Sequence, residues 1–131
     1  AFYQTGMPLP HPLLTQARDR LSTHYRDELG EPFTSAGCCL YRDGRDSVAM
    51  HGDKLHTVAA GHPITLVSLG APRRMLIRAR EGRRETLAVD LAPGSVLSMS
   101  HASQSTHEHG IPKTRRAQGP RISVVFRVRP A

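Results

Sequence analysis

The sequence predicts a mainly β protein with one packed helix, folded as an antiparallel sandwich or jelly roll. Two observations support this prediction. Short β-prone runs alternate with turn signals over residues 37–128, and a single stretch near the start has helical spacing. The 131 residues fit one domain, because domains commonly hold about 100–150 residues.

The helix is predicted over residues 8–30. Pro12 fits the first turn, where no amide hydrogen is needed, and Gly30 fits the position just after the last turn. The apolar side chains recur at helical spacing and therefore share one face. They are Leu14, Ala17, Leu21, Tyr25 and Leu29. A helix with one apolar face packs against another part of the fold.

The β-prone runs are short and are separated by turns rich in Gly and Pro. In one of them, Leu87, Val89 and Leu91 alternate with Ala88 and Asp90, which is the spacing of a strand with two different faces. The runs are Gly37–Tyr41, Ser47–His51, Ile64–Leu69, Arg74–Arg78, Thr86–Leu91, Ser95–Met99 and Ile122–Val128. Regularly spaced short strands of this kind are typical of sandwiches and barrels.

The chain is strongly basic, with 18 Lys and Arg residues against 11 Asp and Glu residues and a net charge of +7. Arg supplies 16 of the 18 cations, and they concentrate in residues 73–84 and 113–129. Basic clusters attract phosphate backbones, but an Arg-rich solvated surface explains the same composition. Both explanations stay open at this point.

The sequence favours a cytoplasmic protein. It contains neither a secretory signal nor a run of the roughly 18 apolar residues that would span a bilayer. Cys38 and Cys39 are neighbours, and adjacent residues rarely reach unstrained disulfide geometry. We therefore expect two free thiols in a reducing compartment.

Histidine is the main candidate for chemistry, because no phosphate-binding loop, dinucleotide fingerprint, paired-cysteine motif or serine-nucleophile motif is present. Residues i and i+2 of a strand face the same side, so His51 and Asp53 can aim at one point. His109 from a distant strand would complete the two-His, one-carboxylate triad of non-haem Fe(II) oxygenases. The pair His51 and Asp53 is common by chance and does not establish a site alone. His107 shares a strand face with His109, and we expect it beside the metal or on the surface.

Five blocks of sequence follow one another in a characteristic order. They are LYRDGRDSVAMHGD, LVSLGAPRRMLIR, LAPGSVLSM, QSTHEHGIPK and GPRISVVFR. In this order they resemble the AlkB-like dioxygenases, which are Fe(II)- and 2-oxoglutarate-dependent enzymes. The resemblance implies a double-stranded β-helix, the jelly-roll dioxygenase fold, over residues 36–131, preceded by a lead-in and helix in residues 1–35. Because the chain begins at Ala1 rather than Met, we expect residues 1–131 to be the single catalytic domain of a longer protein.

The resemblance also implies a role for each matching residue. The positions that match the Fe(II) ligands are His51, Asp53 and His109. Those that match the 2-oxoglutarate site are Tyr41, Arg121, Ser123 and Arg127. A guanidinium suits this site because it pairs with a carboxylate through two hydrogen bonds. Fe(II), 2-oxoglutarate and O₂ are the implied cofactor and cosubstrates.

The candidates for contact with the substrate are Tyr3, Met50, Leu55 and Arg74. Two of them depart from the family pattern. Met50 stands where close relatives carry Trp, and Leu55 stands where base-dealkylating members often carry an acidic residue. Cys39 replaces the usual Asn near the cosubstrate, and a thiol is a poorer hydrogen-bond donor than an amide.

The implied activity is oxidative N-demethylation of alkylated bases in DNA or RNA, with release of formaldehyde. The partner would be nucleic acid that is single-stranded or has a flipped base. No membrane and no obligate protein partner is indicated. Leu55 and the absence of Trp favour one alternative, a hydroxylase of a small molecule or protein substrate. Cys39 favours another, a module that binds nucleic acid without catalysis.

Overall fold

A computed structural model describes residues 2–6, 11–29, 31–83, 85–116 and 119–130; the side chains of residues 2–6, 28 and 29 are outside the description. The strands are β1 (Phe2–Gly6), β2 (Ser35–Tyr41), β3 (Val48–His51), β4 (Ile64–Gly70), β5 (Arg73–Ala79), β6 (Thr86–Leu91), β7 (Val96–Met99), β8 (His107–Ile111) and β9 (Arg121–Arg127). The helices are α1 (Pro12–His24), α2 (Arg26–Leu29) and α3 (Ser103–Thr106), with one 3-10 turn over Leu55–Thr57. Within these residues, no helix is long and apolar enough to cross a bilayer.

The strands form two antiparallel sheets. One has five strands in the order β1-β2-β9-β4-β7, and the other has four in the order β3-β8-β5-β6. Neighbours in space are mostly distant in the chain, as expected for a jelly roll. The core between the sheets draws side chains from both of them, namely Tyr41, Ile64, Leu66, Met75, Leu91, Met99 and Ile111. This architecture confirms the predicted fold class.

The predicted helix is present, but its limits differ from residues 8–30. It begins at Pro12, with His11 as N-cap, because Pro is tolerated in the first turn and not in a helix interior. Residues 7–10 and Gly30 lie outside the described part of the chain. At Tyr25 the backbone leaves helical geometry, with φ −101° and ψ 20°, and the short α2 follows.

The apolar face of α1 packs as the spacing predicts. Leu14, Ala17, Leu21 and Tyr25 contact a second cluster, on the side of the five-stranded sheet away from the core. The cluster is built around Phe33, Ala36, Val124, Phe126 and Val128. In this way α1 supports β2 and β9, which carry all four residues predicted to bind 2-oxoglutarate.

Part of the lead-in over residues 1–35 belongs to the β-sheet itself. Phe2–Gly6 pairs with β2, with Tyr3 opposite Cys39, so the five-stranded sheet begins before the predicted boundary at residue 36. The segment is only five residues long, and its apolar and polar residues do not alternate, which is why its strand character is weak in the sequence. The short α3 was also not predicted, because its residues are all polar.

Arg73 joins two loops at one end of the sandwich. Its guanidinium donates to the carbonyls of Asp43 at 3.1 Å, Asp46 at 2.9 Å and Pro112 at 2.8 Å. The residue is 5% exposed. These hydrogen bonds connect the turn after β2 to the loop after β8.

The two cysteines are free and lie on opposite sides of β2. Cys39 belongs to the core between the sheets, and Cys38 packs with the cluster under α1. Burial raises the pKa of the Cys38 thiol. The predicted free thiols are confirmed.

Candidate metal and cosubstrate site

Two histidines face each other across neighbouring strands. β3 pairs with β8 so that His51 lies directly opposite His109, and their ring centroids are 4.5 Å apart. The side chain of His109 is 11% exposed, whereas that of His51 is 42% exposed. Solvent therefore reaches this pair from the His51 side.

Asp53 reaches the histidines from a loop and not from the strand. The argument from strand alternation placed His51 and Asp53 on one face, but β3 ends at His51. The backbone amide of Asp53 donates to Gln104 Oε1 at 2.9 Å. The structure thus brings the two predicted residues together, although the local structure does not follow the spacing from which they were predicted.

The three side chains form a compact donor set. Asp53 Oδ1 lies 3.9 Å from His51 Nε2 and 3.9 Å from His109 Nε2. All three potential ligand atoms lie within 4.8 Å of one another. Two imidazole nitrogens and one carboxylate oxygen are the ligands that non-haem Fe(II) sites use, so these residues fit such a metal.

The hydrogen bond of one histidine and the burial of the other bear on how they could bind a metal. His51 Nδ1 lies 2.7 Å from the carbonyl oxygen of Ala49, which can only accept, so this contact favours the tautomer with its proton on Nδ1 and the lone pair on Nε2. Burial lowers the pKa of His109 to about 4. At neutral pH the His109 ring is therefore uncharged.

Arg127 holds the second oxygen of the Asp53 carboxylate. Its Nε and Nη2 donate to Oδ2 at 2.8 Å and 2.5 Å. The carboxylate is thereby oriented, with Oδ2 toward Arg127 and Oδ1 toward the histidines. Arg127 was predicted only as a 2-oxoglutarate contact, and its contact with Asp53 is an additional finding.

A cavity between the sheets adjoins the triad. Its polar lining includes Tyr41, Ser123 and Arg127, as the resemblance implied for 2-oxoglutarate. The apolar lining consists of Val48, Ile64, Leu66, Met75, Met99, Ile111 and Val125, with Cys39 beside them. Apolar walls with a few polar groups suit a small organic ligand that has polar ends.

Arg121 lies against Tyr41 and is the largest fully buried side chain among the described residues. Its guanidinium carbon is 4.9 Å from the centre of the Tyr41 ring, and Nη2 donates to Ser68 Oγ at 2.9 Å. Nε and Nη1 have no hydrogen-bond partner among the described residues, and burial lowers the pKa of the group. Unsatisfied buried donors are costly, so an anionic ligand at this position would be stabilising.

The remaining candidates lie away from the cavity. Met50 alternates with His51 along β3, Leu55 is 42% exposed in the 3-10 turn, and Arg74 pairs with Asp90 at 3.0 Å. In the part of the chain described, none of these three lines the cavity. The side chain of Tyr3 lies outside the described residues. A role for these four in substrate binding stays a prediction.

His107 lies two residues before His109 on β8 and does not join the metal-ligand cluster. Its Nδ1 lies 2.7 Å from Thr106 Oγ1. Among the described residues, the cluster contains only His51, Asp53 and His109. Gln104 and Ser68 were missed by the sequence reasoning, because a polar residue gives no sign of a partner some 50 residues away in the chain.

A family model for the 2OG-Fe(II) oxygenase superfamily matches residues 3–127. Curated relatives include the DNA oxidative demethylase ALKBH2 of Bos taurus, which is 32% identical over 123 residues. They also include the alpha-ketoglutarate-dependent dioxygenase alkB homolog 3 of Homo sapiens, which is 29% identical over 125 residues. These alignments cover 88% and 89% of this chain but only 43% and 42% of the relatives. The chain therefore spans less than half the length of either protein.

A similar solved structure is that of OsALKBH1. It superposes with a TM-score of 0.65 at 17% sequence identity, over 91% of this chain and 65% of the other. At this identity the likeness concerns the fold.

Proposed function

Because the chain belongs to the 2OG-Fe(II) oxygenase superfamily, we propose that it carries the activity of an Fe(II)- and 2-oxoglutarate-dependent oxidative demethylase acting on alkylated bases of DNA or RNA. The main support is the convergence of His51, Asp53 and His109 beside a cavity lined by three of the four predicted cosubstrate residues, Tyr41, Ser123 and Arg127. The name of the relative ALKBH2 as a DNA oxidative demethylase supports the substrate class.

The metal would be held by His51 Nε2, Asp53 Oδ1 and His109 Nε2. When bound together with 2-oxoglutarate, Fe(II) would supply the O₂-dependent oxidation of a C–H bond. Arg127 keeps Oδ1 of Asp53 available by holding Oδ2, and the Ala49 carbonyl favours the tautomer of His51 that has its proton on Nδ1. The protein thus fixes the ligands before the metal binds.

The cosubstrate would lie in the cavity with its charged ends on the two arginines. Arg121, beside Tyr41, has two unpaired donors, and Arg127 stands next to the triad. Each guanidinium suits one carboxylate of a dicarboxylic acid. The apolar walls of the cavity would match the methylene groups and keep water from the reacting atoms.

The two cosubstrates, O₂ and 2-oxoglutarate, account for all the atoms and electrons of the proposed reaction. A substrate N-methyl group, O₂ and 2-oxoglutarate yield the N–H group, formaldehyde, succinate and CO₂. One oxygen atom enters the methyl group, which then leaves as formaldehyde, and the other enters succinate. No hydrolytic residue is needed for release, because a hydroxymethyl group on nitrogen breaks down unaided.

The base would approach from the exposed His51 side. His109 and Asp53 are both nearly buried, so a base stacked inside a duplex cannot reach them. The target is therefore a flipped or single-stranded nucleotide. The net charge of +7 supports a polyanionic partner, whose binding would weaken with added salt.

The test uses a single-stranded oligonucleotide with one N-methylated base, together with Fe(II), 2-oxoglutarate and ascorbate. We expect formaldehyde and succinate in equal amounts, and neither product from the Asp53→Ala variant. The control is Asp90→Ala, which removes a carboxylate that is 76% exposed and outside the cavity, and should leave turnover unchanged. A complete lack of succinate from the unchanged, iron-loaded protein would contradict the enzymatic proposal.

A second candidate is a hydroxylase of a small molecule or a protein side chain. The observation that favours it is Leu55, an exposed apolar residue two positions after Asp53. Succinate formation with no formaldehyde from methylated DNA or RNA would support this candidate over the first.

A further inference from the structure

We infer that Gln104 is a positioning residue for the metal centre, acting through the backbone of Asp53. The inference rests on the proposed function, because it takes His51, Asp53 and His109 as the metal ligands. Gln104 touches none of the atoms that would bind the metal or the substrate. Its contribution is to fix the loop that carries the carboxylate.

The contact is between a buried side chain and a backbone amide. Gln104 is 3% exposed, and its Oε1 accepts the amide hydrogen of Asp53 at 2.9 Å, across 51 residues of sequence. Its Nε2 donates to Ser103 Oγ at 3.2 Å, which leaves Oε1 pointing at the loop. Both ends of the amide group therefore have partners.

Gly52 shows how tightly this loop is held. A Cβ atom at position 52 would lie 2.3 Å from the Gln104 carbonyl oxygen and 2.6 Å from an Arg80 Nη2. The loop thus passes directly against the backbone of Gln104. The Gln104 side chain accepts a hydrogen bond from Asp53, and the Gln104 backbone lies against Gly52. These two contacts restrict the movement of the loop.

Gln104 also connects the carboxylate to both histidines. It lies in α3, which leads directly into β8, where His109 stands five residues later. β8 in turn pairs with β3 so that His109 faces His51. A single short segment therefore sets the position of all three ligands relative to one another.

Such support is expected to matter for metal binding. Replacing a residue that orients a metal ligand commonly lowers the metal affinity by about 10- to 100-fold. Without the Oε1 acceptor, the half-buried Asp53 amide would lose its partner, and the loop would relax away from the triad. The result would be a weaker site in a protein that still folds.

The test measures Mn(II) affinity, since Mn(II) is a redox-stable probe for this ligand set. Gln104→Met keeps the length of the side chain and removes the acceptor, whereas Gln104→Glu keeps an acceptor oxygen. Free Mn(II) is followed by electron paramagnetic resonance during titration of the metal-free protein. We expect the dissociation constant to rise about tenfold or more for Gln104→Met and by less than about threefold for Gln104→Glu.

Two further variants keep the result interpretable. Gln104→Asn retains the amide but is one methylene too short, and it should match the loss in Gln104→Met even if the methionine variant folds poorly. Ser105→Ala removes a hydroxyl in the same helix whose one hydrogen bond among the described residues is to the Ala102 carbonyl, and the variant should bind Mn(II) like the unchanged protein.

Each outcome bears on the inference separately from the proposed function. If the unchanged protein binds Mn(II) and folded Gln104→Met or Gln104→Asn binds it equally well, the inference is overturned and the proposed function stands. Equal losses in Gln104→Glu and Gln104→Met would also overturn it, because the acceptor would then not matter. If the unchanged protein binds no Mn(II), both the inference and the proposed function fail.

Discussion

Arg127 donates two hydrogen bonds to one carboxylate oxygen of Asp53, across 74 residues of sequence. The other oxygen of that carboxylate is 3.9 Å from both histidine Nε2 atoms. The two oxygens thus have different neighbours, one cationic and one suited to a metal. The same guanidinium lines the cavity, so it links the metal ligand to the predicted cosubstrate site.

The Arg127→Lys variant should bind 2-oxoglutarate more weakly. Lys keeps the charge but offers a point contact in place of a two-nitrogen fork. Loss of one charge-assisted hydrogen bond, worth about 1.5–3 kcal/mol, corresponds to about a tenfold or greater rise in KM for 2-oxoglutarate. Succinate formation at varied 2-oxoglutarate measures this. Arg129→Lys, on the exposed stretch two residues later, is the control, and an equal KM for both variants would contradict the prediction.

The Gly52→Ala variant should be less stable than the unchanged protein. The added methyl group meets the Gln104 carbonyl oxygen at 2.3 Å, and both backbones must shift. We expect the free energy of unfolding in urea to fall by about 1–3 kcal/mol. Gly119→Ala is the matched control, because a Cβ atom there meets nothing within 4 Å. Equal stability of the two variants would show that the loop around Gly52 is not tightly packed.

Arg73→Met should destabilise the fold, whereas Arg74→Met should not. Arg73 is buried and donates to three carbonyls, which would be left without partners. We expect a loss of more than about 2 kcal/mol in the free energy of unfolding, since each unpaired buried acceptor costs about 1–3 kcal/mol. The Arg74 side chain is 60% exposed and pairs with an exposed Asp90, so its replacement should change stability by less than about 0.5 kcal/mol. Similar urea midpoints for both variants would contradict the assigned role of Arg73.

Stability should fall in acid partly through Asp46. Hydrogen bonds from Arg42 hold the pKa of the Asp46 carboxyl well below its usual range. A carboxyl whose pKa is lower in the folded than in the unfolded state stabilises the fold above the unfolded pKa of about 3.9, and this contribution is lost as the pH falls. In Asp46→Asn the loss of stability between about pH 5 and pH 3 should therefore be smaller. Urea midpoints across this range test it, and an unchanged pH dependence would count against it.

The sequence predicts the fold class and the three residues of the triad better than it predicts the local backbone structure around them. Helical spacing identifies the packed face of α1, because that face depends only on residues three and four positions apart. The break at Tyr25 is not visible in the sequence, because the helical spacing continues through it. His51 and Asp53 do lie close together, yet a loop and not the strand places Asp53 there.

Contacts between residues that are far apart in the sequence cannot be predicted from local spacing. Arg73 and Arg74 are identical neighbours, and the sequence reasoning selected Arg74, which is exposed. Strand alternation says that the two point to opposite sides but not which side is buried. The bond from Gln104 to Asp53 likewise joins segments that meet only after the sheets have formed.

The placement of Cys38 and Cys39 on opposite sides of β2 provides two natural labelling sites. Cys39 lines the cavity, so its rate of alkylation reports whether a ligand fills that space. Cys38 packs with the cluster beneath α1, and burial raises the pKa of its thiol, so release of the helix should speed its alkylation. Adjacent thiols can therefore report ligand binding and helix undocking separately, without engineered cysteines.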